Sequence, residues 1–206
     1  SNFQIQAAQN IEDKGLSEHL STTGDNLAQV TKYIYENFPE TFQKILDKMK
    51  ERVPGIDKVE AKETIDGRIV LQFSDGSFKD PFISRFVSDG TIKMFAYLVL
   101  LNDPKPHPLL CIEEPENYLH PELLIELAEE FRDYANRGGQ VFISSHSPDF
   151  VNALELEELF WLQKTNGFTN IKRASEDNAI SGLFKDGDKL GYLWKQGYFI
   201  GSGPKN

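Results

Sequence analysis

The run from Pro108 to Pro121, Pro-Leu-Leu-Cys-Ile-Glu-Glu-Pro-Glu-Asn-Tyr-Leu-His-Pro, restricts the fold of this chain more than any other stretch. Four apolar residues, Leu109 to Ile112, are too few for a helix core and predict a buried strand. Cys111 lies inside it and reads as core rather than nucleophile. Two adjacent carboxylates, Glu113 and Glu114, close the strand, and Pro115 stops pairing because it has no backbone donor to give a ladder. Such a run sets paired negative charge at the carboxyl edge of a sheet, where open α/β folds hold their ligands. Pro121 then suits the first position of a helix.

The flanking sequence fits an α/β fold. Residues 1–24 are polar and read as an irregular segment; Ser1-Asn2 has the look of a tag remnant. Leu27, Val30, Ile34 and Phe38 share one helical face, and a second helix after Pro39 carries Phe42, Ile45, Leu46 and Met49 until Val53-Pro54-Gly55. From Ile56 the period changes, and two strand-like runs flank the hairpin signal Asp66-Gly67. Ile92 to Leu101 predicts an almost wholly buried helix. After the central strand, a helix from Pro121 to Asn136 ends at Gly138-Gly139, and Gln140 to Ser144 reads as the next strand. Strand, helix, strand in this order implies parallel pairing. Further strands are expected at Leu159 to Leu162 and Thr169 to Arg173, while Trp161, Trp194, Tyr198 and Phe199 read as C-terminal packing. The organisation expected is residues 1–84 as a helical pair plus β-hairpin and 85–206 as the core, with a mostly parallel sheet flanked by helices.

Composition narrows the class. The net charge of -10 argues against a surface that coats nucleic acid generically, leaving a local basic patch open. A single cysteine excludes an intrachain disulfide and suits a reducing compartment. No apolar run of about 18 residues occurs, so a soluble, cytoplasmic protein without membrane contact is expected.

Three constellations carry chemistry. At a strand end, one of two adjacent carboxylates can help hold Mg²⁺ while the other orients a water in phosphoryl transfer; the bland alternative for Glu113-Glu114 is a solvated acidic turn. His146, just past the neighbouring strand, can donate to a phosphate oxygen or simply sit in a loop whose serines, Ser145 and Ser147, cap the next helix. Ser88-Asp89-Gly90-Thr91 opens a helix whose N–H groups favour anions, or is an ordinary cap and turn. Asp89 is expected to cap rather than touch phosphate. Glu113, Glu114, Glu116, His120 and His146 can also be recast as metal ligands, although no H-E-x-x-H motif organises them. Asp186-Gly187-Asp188 reads as a turn. His19 and His107 have no partners in sequence and read as surface residues.

In this order the three elements resemble the C-terminal lobe of ABC-type ATPases, and most nearly the SMC-like ATPases that include overcoming-lysogenisation-defect (OLD) proteins and DNA-repair ATPases. The resemblance covers Asn26 to the C-terminus and is strongest from Ser88 to Pro148. It implies that Ser88-Asp89-Gly90 is the signature loop and Leu109 to Glu114 the Walker B strand. It further implies Glu113 at Mg²⁺, Glu114 as the catalytic carboxylate, Asn117 to His120 as the D-loop and His146 as the switch histidine. In that family two protomers sandwich two ATP molecules. Two departures stand out. Glu113 occupies a position where the family usually has Asp, and G-x-x-x-x-G-K-[ST] occurs nowhere in the chain. The expectation is therefore the C-terminal portion of a longer ATPase, binding ATP poorly alone, with the missing Walker A segment, a second protomer, and DNA or an effector protein as partners. The alternatives are a non-hydrolysing dimerisation or partner-binding module of the same fold and a metal-dependent hydrolase.

Overall fold

Apolar residues at helical spacing build the first elements. Helix α1 (Leu27–Asn37) buries Leu27, Val30 and Ile34, and α2 (Pro39–Arg52), with Pro39 in its first turn, buries Phe42, Ile45 and Met49. These elements come from a computed structural model that describes residues 12–13, 17–78 and 80–203. Most of the segment read as irregular, with Ser1, Asn2 and Gly15, lies outside the described residues.

The expected hairpin forms from β2 (Ile56–Glu63) and β3 (Arg68–Asp75), antiparallel around a turn in which Gly67 takes φ 83°. Strands β1 (Glu12–Asp13) and β4 (Phe82–Ile83) pair with successive stretches of β3. Helix α3 (Asp89–Leu101) lies at the centre of the first unit, and every residue from Thr91 to Leu101 is buried. A helix apolar on all sides has to be covered on all sides. Phe73 of β3 meets Phe95 edge-on at 5.6 Å, and Tyr97 meets Phe131 of α4 (Pro121–Asn136) at 5.7 Å. Helices α2 and α4 are joined by ions: the fully buried Glu130 accepts from Lys48 and from Arg52 Nη2 at 2.8 Å, and Arg52 also pairs with Glu126 at 2.6 Å. Burial opposes the Arg52 charge, but the hydrogen bonds it donates to Glu130 and the charges of Glu130, Glu126 and Glu51 together outweigh it, and its pKa rises.

β5 (Leu109–Glu113) and β6 (Gln140–Ser144) pair in parallel, with α4 as their connection and Gly138 at φ 98° ending that helix. Among the described residues parallel pairing is confined to these two strands. Burial of β5 differs from expectation. Leu110 and Ile112 are buried, whereas Leu109 and Cys111 are exposed. One face of the pair is covered, and strand alternation sends Leu109, Cys111 and Phe142 to the other.

Residues from Ser145 onward form a second compact unit. It comprises α5 (Pro148–Val151), the antiparallel hairpin β7 (Phe160–Thr165) and β8 (Phe168–Arg173), α6 (Asn178–Lys185) and α7 (Leu190–Lys195). Its core includes Trp161, Ile180, Leu193 and Phe199, with Trp161 edge-on to Phe199 at 5.2 Å. Trp194 packs against this core; Tyr198, expected to join it, is exposed. Asp186-Gly187-Asp188 is a turn closing α6, with Gly187 at φ 103°. No helix among the described residues is long and apolar enough to cross a membrane.

Candidate active site

The site is built where the carboxyl end of β5 meets the mouth of α3. Glu113 is the last residue of β5, exposed, and in register with Ser144 of β6. The N–H of Glu114 donates to the Ser144 carbonyl at 2.8 Å, extending the ladder by one residue. Glu114 itself has φ 44°, in the left-handed region that residues other than glycine rarely adopt. Asn117 holds it twice: its N–H donates to the Glu114 carbonyl at 3.2 Å, and its Nδ2 to Glu114 Oε2 at 2.8 Å. The loop then enters α4 through His120, whose Nδ1 accepts the Glu122 N–H at 3.4 Å while its ring stays exposed.

Facing this loop, Ser88 caps α3. Its Oγ accepts the Thr91 N–H at 3.2 Å and shares a hydrogen bond of 2.8 Å with Thr91 Oγ1. The capping oxygen is thus supplied by Ser88, where Asp89 was expected to provide it; Asp89 occupies the first turn, its carboxylate beside the positive helix end. Gly90 is explained by approach: a β-carbon there would lie 2.8 Å from the Tyr118 carbonyl oxygen. Only a residue without one lets the start of α3 back onto the loop after β5.

Lys93, which no sequence motif marks, joins this assembly. It is 3% exposed, yet it is a cation in an otherwise apolar helix. Its Nζ donates to the Asn117 carbonyl at 2.8 Å and reaches the Glu114 carbonyl at 3.5 Å, tying α3 to the acidic loop. Burial lowers its pKa to about 8, a fall opposed by the charges of Glu116 and Glu114. The signal was present: a single charge within Ile92 to Leu101. Beside it, burial foremost and the Glu116 charge raise the Tyr97 phenol above its usual range.

The structure therefore brings Ser88, Asp89, Gly90, Glu114 and Asn117 into one connected assembly, with Glu113 beside it and His120 at its far end. His146 is exposed and opens the second unit, two residues past Ser144; Ser145 Oγ accepts the Ser147 N–H at 3.0 Å, and Ser147 caps α5. The donor set suits part of a Mg²⁺–polyphosphate: carboxylate oxygens for a hard cation and a capped N-terminus on a 13-residue helix for phosphate.

Residues 9–152 match the family described as "AAA domain, putative AbiEii toxin, Type IV TA system", more than half of the chain. The chain belongs to this AAA family. The Old nuclease of Escherichia phage P2 is 23% identical to it over 218 residues, covering 85% of this chain and 37% of that protein. The chain thus spans little more than a third of that relative's length. Its fold is that of SMC heads. A chain from work on ATP-driven dimerization and DNA stimulated activation of SMC ATPases aligns with TM-score 0.51 at 12% identity, covering 78% of this chain and 99% of that one. The Pyrococcus furiosus Smc head, bound to the C-terminal domain of ScpA, aligns with TM-score 0.55 at 12% identity, covering 78% and 41%. The AAA-family chain accordingly has an SMC-like, ATPase-type fold and is similar in sequence to the Old nuclease.

Proposed function

We propose that this chain is the C-terminal portion of a cytoplasmic enzyme that hydrolyses ATP to ADP and phosphate in an ATP-sandwich dimer, serving a nucleic-acid-related or defence process. One observation carries the reading: the Glu114 carboxylate is held at the end of β5 by Asn117, on a loop pinned by the buried Lys93. When bound, Mg²⁺–ATP supplies an electrophilic γ-phosphoryl group and a leaving ADP. Glu114 orients the attacking water and accepts its proton. Glu113 is the residue that would hold Mg²⁺ at the end of β5. Ser88 and Gly90, at the mouth of α3, serve the partner protomer's nucleotide, with Asn117 and His120 in the loop between protomers. His146 donates to a phosphate oxygen.

The β- and γ-phosphates need a further cradle, because no G-x-x-x-x-G-K-[ST] is present. A Walker A segment elsewhere in the full-length protein fills that need, and the exposed face of β5 and β6, with Leu109 and Phe142, suits a covering segment. Parallel strands are ordinarily covered on both faces. The names of the relatives, a nuclease and ATP-driven SMC dimers, support the process suggested.

The test is Glu114→Gln in the full-length protein. Turnover should fall by at least about a thousandfold, while ATP binding persists and an ATP-bound dimer accumulates in size-exclusion chromatography. Turnover within about threefold of wild type would remove Glu114 from its role.

A further inference from the structure

Away from the acidic loop, three residues far apart in sequence converge. His19 precedes α1, while Asp103 and His107 lie on the proline-rich connection between α3 and β5. Their ligand atoms all lie within 4.8 Å of one another. His19 Nδ1 is 2.7 Å from Asp103 Oδ2, and the two imidazoles lie 4.9 Å apart, tilted by 45°. Both histidines had read as partnerless surface residues; each is half-buried, and neither stands alone.

We propose that His19, Asp103 and His107 form a site for a divalent transition metal of the zinc type, tying the segment before α1 to the α3–β5 connection. Two imidazole nitrogens and one carboxylate oxygen are a donor set that zinc accepts with one position left open. Around zinc, with metal–ligand bonds of about 2.0–2.2 Å, tetrahedral ligand atoms stand roughly 3.3–3.5 Å apart. The His19–Asp103 pair needs to open by about 0.6 Å, and the widest pair to close by a little over about 1 Å; side-chain rotation supplies both.

Three further observations support the site. Asp103 is 7% exposed, and the ion pair it makes among the described residues is with His19 alone, so a cation would offset the cost of burying its charge. Its second oxygen accepts the Lys105 N–H at 2.8 Å, which fixes the carboxylate's direction in the manner of an outer shell. The His107 carbonyl accepts the Tyr134 hydroxyl, and Pro104, Pro106 and Pro108 restrict the loop that presents both ligands. His107 also lines a cleft of about 210 Å³ with Ser21 and Cys111, giving an ion a route in.

The experiment uses the chain after chelator treatment and dialysis, titrated with Zn²⁺ in a calorimeter and with Co²⁺ by visible absorption. One equivalent should bind per chain, and Co²⁺ should show the intense bands of a four-coordinate site. His107→Gln and His19→Gln should each weaken binding by at least about tenfold and abolish the zinc-dependent rise in Tm. Circular dichroism confirms that both variants fold, and Asp103→Asn is a third variant if either does not. Binding should survive Cys111→Ser and Glu114→Gln unchanged. Absence of a stoichiometric site, binding indifferent to both histidines, or binding lost with Cys111 or Glu114 overturns the proposal. Because no nucleotide is involved, these outcomes are separate from those for ATP hydrolysis.

Discussion

Lys93→Met removes the charge that α3 buries and keeps most of its apolar stem. In the native chain the pKa falls from 10.5 to about 8, so holding the ammonium in place costs up to about 3 kcal/mol below pH 8, and about 2 kcal/mol if solvent near the loop screens part of it. Against this, Met leaves the Asn117 carbonyl without the donor that Lys93 supplies in either protonation state, a loss of about 1–3 kcal/mol. The two nearly cancel, and at neutral pH the variant should match wild-type stability to within about 1 kcal/mol. The pH dependence separates them. Because the folded pKa lies below the unfolded one, the unfolded chain binds more protons between about pH 8 and 10.5, and wild-type stability rises with pH across that window. From about pH 7 to about pH 9.5 the wild type should gain roughly 1–2 kcal/mol relative to Lys93→Met. Urea denaturation of both proteins at both pH values, followed by circular dichroism, measures this difference. Parallel pH profiles would refute the buried-cation argument. In the full-length protein the same substitution should lower ATP turnover on the order of tenfold to a hundredfold, because the loop bearing Glu114 loses its anchor.

Two further perturbations follow from the packing. Glu130→Ala leaves the half-buried Arg52 and Lys48 without their fully buried partner and should cost about 3–5 kcal/mol in urea denaturation, far more than deletion of an exposed pair such as Lys105–Glu18. Gly90→Ala forces a β-carbon onto the Tyr118 carbonyl and should cost about 1–3 kcal/mol, with turnover of the full-length protein falling as the mouth of α3 is pushed off the loop.

Elements with a strong period were legible in the sequence. The stripe Leu27, Val30, Ile34, the hairpin at Asp66-Gly67 and the apolar run Ile92 to Leu101 each contain their own solution, since neighbours along the chain decide it. Burial of β5 was not legible, because four apolar residues look the same whether one or both faces of a strand are covered. His19 and Asp103 were out of reach for another reason: 84 residues separate them, and no local pattern reports a contact across that distance. Lys93 lies between these cases. Its position inside an apolar helix was visible, but its meaning depended on which carbonyls the fold would bring to it.

The bland reading of Glu113-Glu114, a solvated acidic turn, makes a physical prediction of its own. A turn under no constraint other than direction would relax any left-handed backbone, or place glycine or asparagine there, since other residues pay on the order of 1–2 kcal/mol for it. The chain does neither: Glu114 has φ 44° and Tyr118 φ 68°. Both are over-determined. Ser144 holds the Glu114 N–H, Asn117 holds its carbonyl and its carboxylate, and the Tyr118 carbonyl is backed by Gly90, whose missing β-carbon makes room for it. A buried ammonium is committed to the same loop at its own desolvation cost. Strain and a buried charge converging on the loop that carries Glu114 support the proposed site over a solvated turn.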